Sequence, residues 1–123
     1  MPHPAEHSAP ARVLGADEAE ELTETLKALA SPGRLRLLTD LLGGPRTVEQ
    51  LAAAAELSVS ATSHHLRLLR SLRLVRARRD GRYVFYALHD HHIGDLLAAV
   101  RHHHEHVHQP AAEVLPATES RAT

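Results

Sequence analysis

Apolar residues recur along this chain at two spacings, and the spacing changes twice. Up to residue 72 they fall three and four apart, from 74 to 88 they alternate, and from 93 to 107 the helical spacing returns. Ala19, Leu22, Leu26 and Leu29 outline the apolar side of a first helix over 17–30. Asp17, Glu18, Glu20 and Glu21 load its first turns, where the helix dipole favours negative charge. Ser31-Pro32-Gly33 breaks it; Ser31 can cap a second helix over 34–42, with Leu35, Leu38, Leu41 and Leu42 inward. Gly43-Gly44-Pro45 ends that helix, and Thr47 with Gln50 is a capping-box signature for a third over 48–55, built on Leu51, Ala52 and Ala55. After a short turn at 56–58 comes a fourth helix over 60–72. Its spacing sends Ala61, His65, Leu68, Leu69 and Leu72 to the core and Ser60, Ser63, His64, Arg67 and Arg70 to the other side.

Residues 74–88 read as a β-hairpin. Asp80-Gly81 is a two-residue type I′ turn signal, and the run from Arg82 to Tyr86 has strand character. Two short helices joined by a tight turn and followed by a basic hairpin make a winged helix-turn-helix. The expected fold class is therefore mainly α with a β-hairpin wing: four helices, two strands and a fifth helix over 90–108. Residues 1–16 and 109–123, aperiodic and rich in Pro and Ala, are expected to be a disordered arm and tail around one domain spanning 17–108.

Charge sharpens the picture. The formal net charge is −1, so no global basic signal exists. Yet between residues 60 and 82 stand seven arginines (Arg67, Arg70, Arg73, Arg76, Arg78, Arg79, Arg82) and one acid, Asp80. Such a stripe is the electrostatic footprint of a DNA-binding face, with Ser60, Ser63, His64, Arg67 and Arg70 on the helix and Arg78, Arg79 and Arg82 on the wing as candidate contacts. His65, on the apolar side, reads as a packed, hydrogen-bonded histidine. There is no cysteine, which excludes thiolate metal sites, disulfides and thiol catalysis. No apolar run approaches the ~18 residues of a membrane span, so a soluble cytoplasmic protein without a membrane partner is expected.

The fifth helix carries the remaining chemistry. Asp90, His91 and His92 open it, and His102, His103, His104, Glu105, His106 and His108 crowd its end. Nitrogen and oxygen donors of this kind suit nickel, cobalt or zinc. At about 100° per residue His103 falls roughly 20° and His106 roughly 40° from His92, so the three share one face beside the stripe Ile93, Leu96, Leu97, Val100 and Val107. Eleven residues of rise nevertheless put His92 and His103 roughly 16 Å apart, whereas ligands of one ion sit about 2 Å from it. One helix cannot close both ends on one metal; two copies packed antiparallel about a two-fold axis can. A homodimer with two inter-subunit sites is expected.

From about residue 22 to 108 the chain resembles the ArsR/SmtB winged-helix metal-sensing repressors. The resemblance is carried by Leu29-Ala30-Ser31-Pro32-Gly33-Arg34-Leu35, by Ser60 to Leu69 with its Ser63-His64-His65 centre, and by Arg78-Arg79-Asp80-Gly81-Arg82-Tyr83-Val84-Phe85-Tyr86. It is closest to the nickel/cobalt-sensing branch. That resemblance implies a metal site of Asp90, His92, His103 and His106, with His108 an additional candidate. Zinc sensors of the family usually carry Glu at the position of His106, which favours Ni(II) or Co(II) as effector, with Zn(II) the alternative. The branch also implies ligation by the N-terminal amine and following His, here Pro2 and His3, where the branch has Gly in place of Pro2. The family often has Gly where Arg73 stands. The implied function is not enzymatic: an apo dimer binds an inverted-repeat operator on double-stranded DNA and is released by metal. Two rivals stay open, a winged-helix regulator blind to metal and a His-rich metal-binding protein without switched DNA binding.

Overall fold

A computed structural model describes residues 12–108; the expected arm and tail, with Pro2 and His3, lie largely or wholly outside that range. The elements are α1 (Ala16–Leu29), α2 (Pro32–Asp40), a 3-10 turn (Leu41–Gly43), β1 (Arg46–Thr47), α3 (Val48–Ala55), α4 (Val59–Ser71), β2 (Val75–Asp80), β3 (Tyr83–Leu88) and α5 (His91–Val107). Among the described residues no helix is long and apolar enough to cross a membrane.

The caps behave as the sequence implies. Ser31 Oγ accepts the Arg34 backbone N–H at 3.3 Å with Pro32 opening α2, and Thr47 and Gln50 exchange reciprocal bonds of 3.2 and 2.9 Å at the start of α3. Ser58 caps α4 through the Ala61 N–H at 3.0 Å, so that helix begins one residue ahead of the expected start.

Both helices of the helix-turn-helix end in the same way. After α3, Leu57 N–H bonds Ala52 O (2.9 Å) and Glu56 N–H bonds Ala53 O (3.2 Å), with Glu56 at φ 58°. After α4, Leu74 N–H bonds Leu69 O (2.9 Å) and Arg73 N–H bonds Arg70 O (3.0 Å), with Arg73 at φ 60°. These paired long and short bonds are Schellman motifs, whose left-handed position normally goes to Gly because a Cβ crowds the following carbonyl.

The core differs from the apolar spacing in a consistent way. Leu37, Leu38, Leu41, Leu51, Ala55, Leu66, Leu69, Leu74, Val75 and Leu97 are buried together with Ala28. On α4 the inward row is Thr62, Leu66 and Leu69, while Leu68, expected inside, is exposed. The face is therefore centred one residue from where the leucine spacing alone puts it, because buried Thr62 takes a core position. Leu22 and Leu26 of the expected apolar side of α1, and Leu35 of α2 and Leu42 of the 3-10 turn, both expected in the core, are exposed; only Ala28 of α1 is buried. On α5 only Leu97 is buried, with Ile93 partly so, while Leu96, Val100 and Val107 face outward. Among the described residues of one chain no element covers them.

The sheet is three-stranded and antiparallel, in the order β1-β3-β2. The short β1, absent from the sequence reading, pairs Arg46 with Tyr86 and Thr47 with Phe85. The hairpin register pairs Asp80 with Tyr83, so the two-residue loop is Gly81-Arg82 and not Asp80-Gly81. Gly81 has φ 66° and Arg82 is not left-handed, the sign pattern of a type II′ turn, which places Gly first.

Arg73→Gly is expected to stabilise the fold by about 0.5–1 kcal/mol: it relieves the left-handed penalty and gives part of that back as unfolded-chain entropy. Urea unfolding of the two proteins measures this as a higher midpoint at unchanged slope.

Candidate nucleic-acid interface and metal-binding helix

The helix-turn-helix presents α4 outward on a buried seat of Thr62, Leu66 and Leu69 against α3. Ser60, His64, Arg67 and Arg70 are exposed and Ser63 is half-buried, so the structure places the five expected side chains on the surface of one helix. On the wing Arg76, Arg78, Arg79 and Arg82 are exposed. Arg82 lies over its neighbour's ring, its guanidinium carbon 5.4 Å from the Tyr83 centroid. Among the described residues none of the seven arginines from Arg67 to Arg82 forms an ion pair, whereas Arg36, Arg46 and Arg101 each face a carboxylate. Their positive potential is therefore not cancelled locally, which is what attraction of a phosphate backbone requires.

The sequence reading missed the group that anchors α4 from behind. Arg34 Nε donates to Ala28 O at 2.6 Å, its Nη2 to Lys27 O at 3.5 Å, and its Nη1 lies 3.4 Å from His65 Nδ1. One guanidinium thus closes the C-terminal end of α1 and touches α4. Because guanidinium only donates, His65 must offer a lone pair at Nδ1 and carry its proton at Nε2. A Cβ on Gly33 would stand 3.2 Å from that Nε2, so a small residue there lets the ring sit close. His65 is thus the packed, hydrogen-bonded histidine expected. Burial, then the Arg34 charge, then His64 hold its pKa below the ordinary histidine value.

On α5, Asp90 is the N-cap. Its Oδ1 accepts the backbone N–H of His92 (3.0 Å) and of Ile93 (3.3 Å), and its Oδ2 faces His89 Nδ1 at 3.4 Å. Desolvation raises the Asp90 pKa, but the hydrogen bonds from His89, Ile93 and His92 and the His92 charge outweigh it and hold the carboxyl below its usual range. The carboxylate is thus available as a charged oxygen donor at neutral pH, with Oδ2 less committed than Oδ1. His92 Nδ1 lies 3.6 Å from Asp90 Oδ1, so these two candidates adjoin.

His103 and His106 stand on the same helix face as His92 by rotation, about 16 Å and about 21 Å further along the axis. Within the described residues of one chain no three His, Asp or Glu side chains come together. The donor set is chemically suited to a nickel-, cobalt- or zinc-sized ion but is divided between the two ends of one rod. His108 lies roughly 160° around the helix from His92. Beside the rod runs an open apolar groove of about 590 Å³, lined by Leu26, Leu29, Leu35, Leu96, Val100 and His104 among others.

Protonating His65 should cost stability. Its folded pKa lies below the unfolded value of about 6.5, so its contribution is complete above that pH and is lost as pH falls towards the folded pKa, where only the unfolded chain takes up the proton. Urea midpoints measured between pH 7.5 and 5.5 should fall more steeply in the wild type than in His65→Gln.

Residues 31–77 match the model of the bacterial regulatory protein, arsR family. The HTH-type transcriptional regulator NmtR of Mycobacterium tuberculosis is 44% identical over 99 residues, covering 80% of this chain and 82% of that protein. The transcriptional repressor SmtB homolog of Synechocystis is 47% identical over 91 residues, 74% of this chain and 69% of its own length. Among solved structures, apo-NmtR superposes with a TM-score of 0.67 at 42% identity, over 88% of this chain and 91% of that one. The homodimeric winged helix-turn-helix DNA-binding domain of a possible ArsR-family regulator from Mycobacterium bovis does so with a TM-score of 0.72 at 30% identity, over 82% and 94%. With its helix-turn-helix, its wing and these similarities spanning most of its length, the chain belongs to the ArsR/SmtB family of transcriptional regulators.

Proposed function

We propose that the protein is a metal-responsive repressor: a homodimer that holds operator DNA when metal-free and releases it when Ni(II) or Co(II) occupies sites shared between the paired α5 helices. The observation that carries this reading is the division of donors along α5, with Asp90 and His92 at one end and His103 and His106 at the other. A second copy running antiparallel supplies the missing half of each set. The exposed Leu26, Leu35, Leu96 and Val100 supply the apolar surface for such a pairing. Similarity to proteins named as SmtB repressors and to NmtR supports the same reading.

In this reading the two α4 helices enter successive major grooves of an inverted repeat. Ser60, Ser63, His64, Arg67 and Arg70 contact base edges and phosphates, and Arg78, Arg79 and Arg82 of each wing reach flanking backbone. Asp90, His92, His103 and His106 hold the cation, whose positive charge links the two subunits. His106 in place of Glu favours nickel and cobalt over zinc by family resemblance. Pro2 and His3, outside the described residues, are further candidate ligands from the arm. The histidines coordinate only when neutral, so the response fades below about pH 6.

Coupling of this kind is typically worth ~1–3 kcal/mol, or roughly 5–150-fold in affinity. Anisotropy titrations of inverted-repeat DNA flanking its own gene should show nickel and cobalt weakening binding within that range, and His92→Gln with His103→Gln should abolish the effect. A response to zinc alone would reassign the effector, and indifference to all three metals would refute the sensor. Arg78→Ala should weaken binding on every sequence alike and reduce the slope of log affinity against log salt by about one.

A further inference from the structure

We propose that His104 and His108 form a second divalent-metal site, separate from the set at Asp90, His92, His103 and His106. The two residues are four apart near the C-terminal end of α5, so their side chains stand one above the other on one face. Their ring centroids are 4.1 Å apart with planes inclined by 35°. Imidazole nitrogens bind late first-row ions at about 2.0–2.1 Å, so two of them on one ion stand about 3–4 Å from each other. The rings adjoin closely enough for one nitrogen of each to reach a common ion.

The protonation pattern is also set. His108 Nδ1 lies 2.9 Å from the His104 carbonyl oxygen, which can only accept, so Nδ1 carries the proton and Nε2 keeps its lone pair. A backbone carbonyl behind one ring nitrogen is the usual device that orients a metal-bound imidazole at the other. Both side chains are exposed, and neither forms an ion pair among the described residues. Of the other histidine pairs on the helix, the His102 and His106 rings are 6.4 Å apart, and the His91 and His92 rings, 4.1 Å apart, belong to sequence neighbours rather than to residues one helical turn apart.

Position separates this pair from the first set. His104 and His108 lie roughly 120° and 160° around the helix from His92, so they cannot share an ion with His103 and His106 of the same chain. His104 lines the apolar groove, and His108 follows one turn further along. The structure therefore assigns His108 to His104. With only two imidazole ligands and water completing the coordination, the site is weaker than a four-ligand one, and it prefers Cu(II) and Ni(II) over Co(II) and Mn(II). It does not depend on the repressor reading.

Nickel titration of the full-length protein against a chromogenic chelator tests it. The wild type should take up one more weakly held nickel per protomer than H104Q/H108Q, whose tighter binding step should be unchanged. H92Q/H103Q should lose the tight step and retain the weak one. Zinc added to 15N-labelled protein should shift the His104 and His108 imidazole resonances together. Equal stoichiometry in wild type and H104Q/H108Q, or loss of the tight step in that variant, would overturn the proposal. If the wild type shows no tight step at all, the first set fails, and the difference of one weak nickel still decides the second.

Discussion

A rigid rod keeps its ends apart. The seventeen residues of α5 span about 25 Å, and nothing in an unbroken α-helix lets its first turn approach its last. The same element is also underburied: Leu97 is 5% exposed, but Leu96 and Val100 are 41% and 61% exposed. Donors without a complete set and apolar side chains without a cover are two shortages on one helix. In the proposed homodimer one event relieves both, because the partner rod that covers the apolar stripe also carries the absent ligands. Assembly and metal sensing are then properties of the same contact.

The DNA-facing half of the molecule rests on a different principle. Its α4 surface is polar and charged, so its position must come from what lies beneath and behind it. Thr62, Leu66 and Leu69 fix its depth, the Schellman bonds at Arg73 fix where the chain leaves it, and Arg34 holds it to the end of α1. The Arg34 contact requires His65 to be neutral, which ties the seating of α4 to proton occupancy. Seven unpaired arginines are thereby displayed on a scaffold whose own ion pairs lie elsewhere.

Much of this was legible in the sequence. Caps at Ser31 and Thr47 announce themselves because the bonding residues are local, and so does the change from helical to alternating spacing near residue 74. Positive φ at Arg73 could be anticipated from the family's preference for Gly there. What stayed hidden was non-local. The strand at Arg46 and Thr47 exists only because β3 lies beside it, and the role of Arg34 depends on carbonyls six and seven residues earlier and on a ring thirty-one residues later. The hairpin turn moved by one residue because the pairing of Asp80 with Tyr83 decides which two residues are left over. The leucines misassigned to the core are those whose spacing reports an apolar face without saying which chain will cover it. The metal candidates were found by residue type and rotation; their separation along the axis, not their proximity, was the informative quantity.

Asp90 closes α5 at its start with one oxygen, which accepts two of the free backbone donors, and leaves the other oxygen towards His89. An asparagine would finish the helix equally well, since amide and carboxylate oxygens serve alike at that position. Either residue therefore meets the hydrogen-bonding need of the helix start. Only a formal negative charge distinguishes them, and a charge matters where a cation is to be neutralised. The identity of this one side chain separates what the helix needs in order to form from what the proposed sensor needs in order to respond.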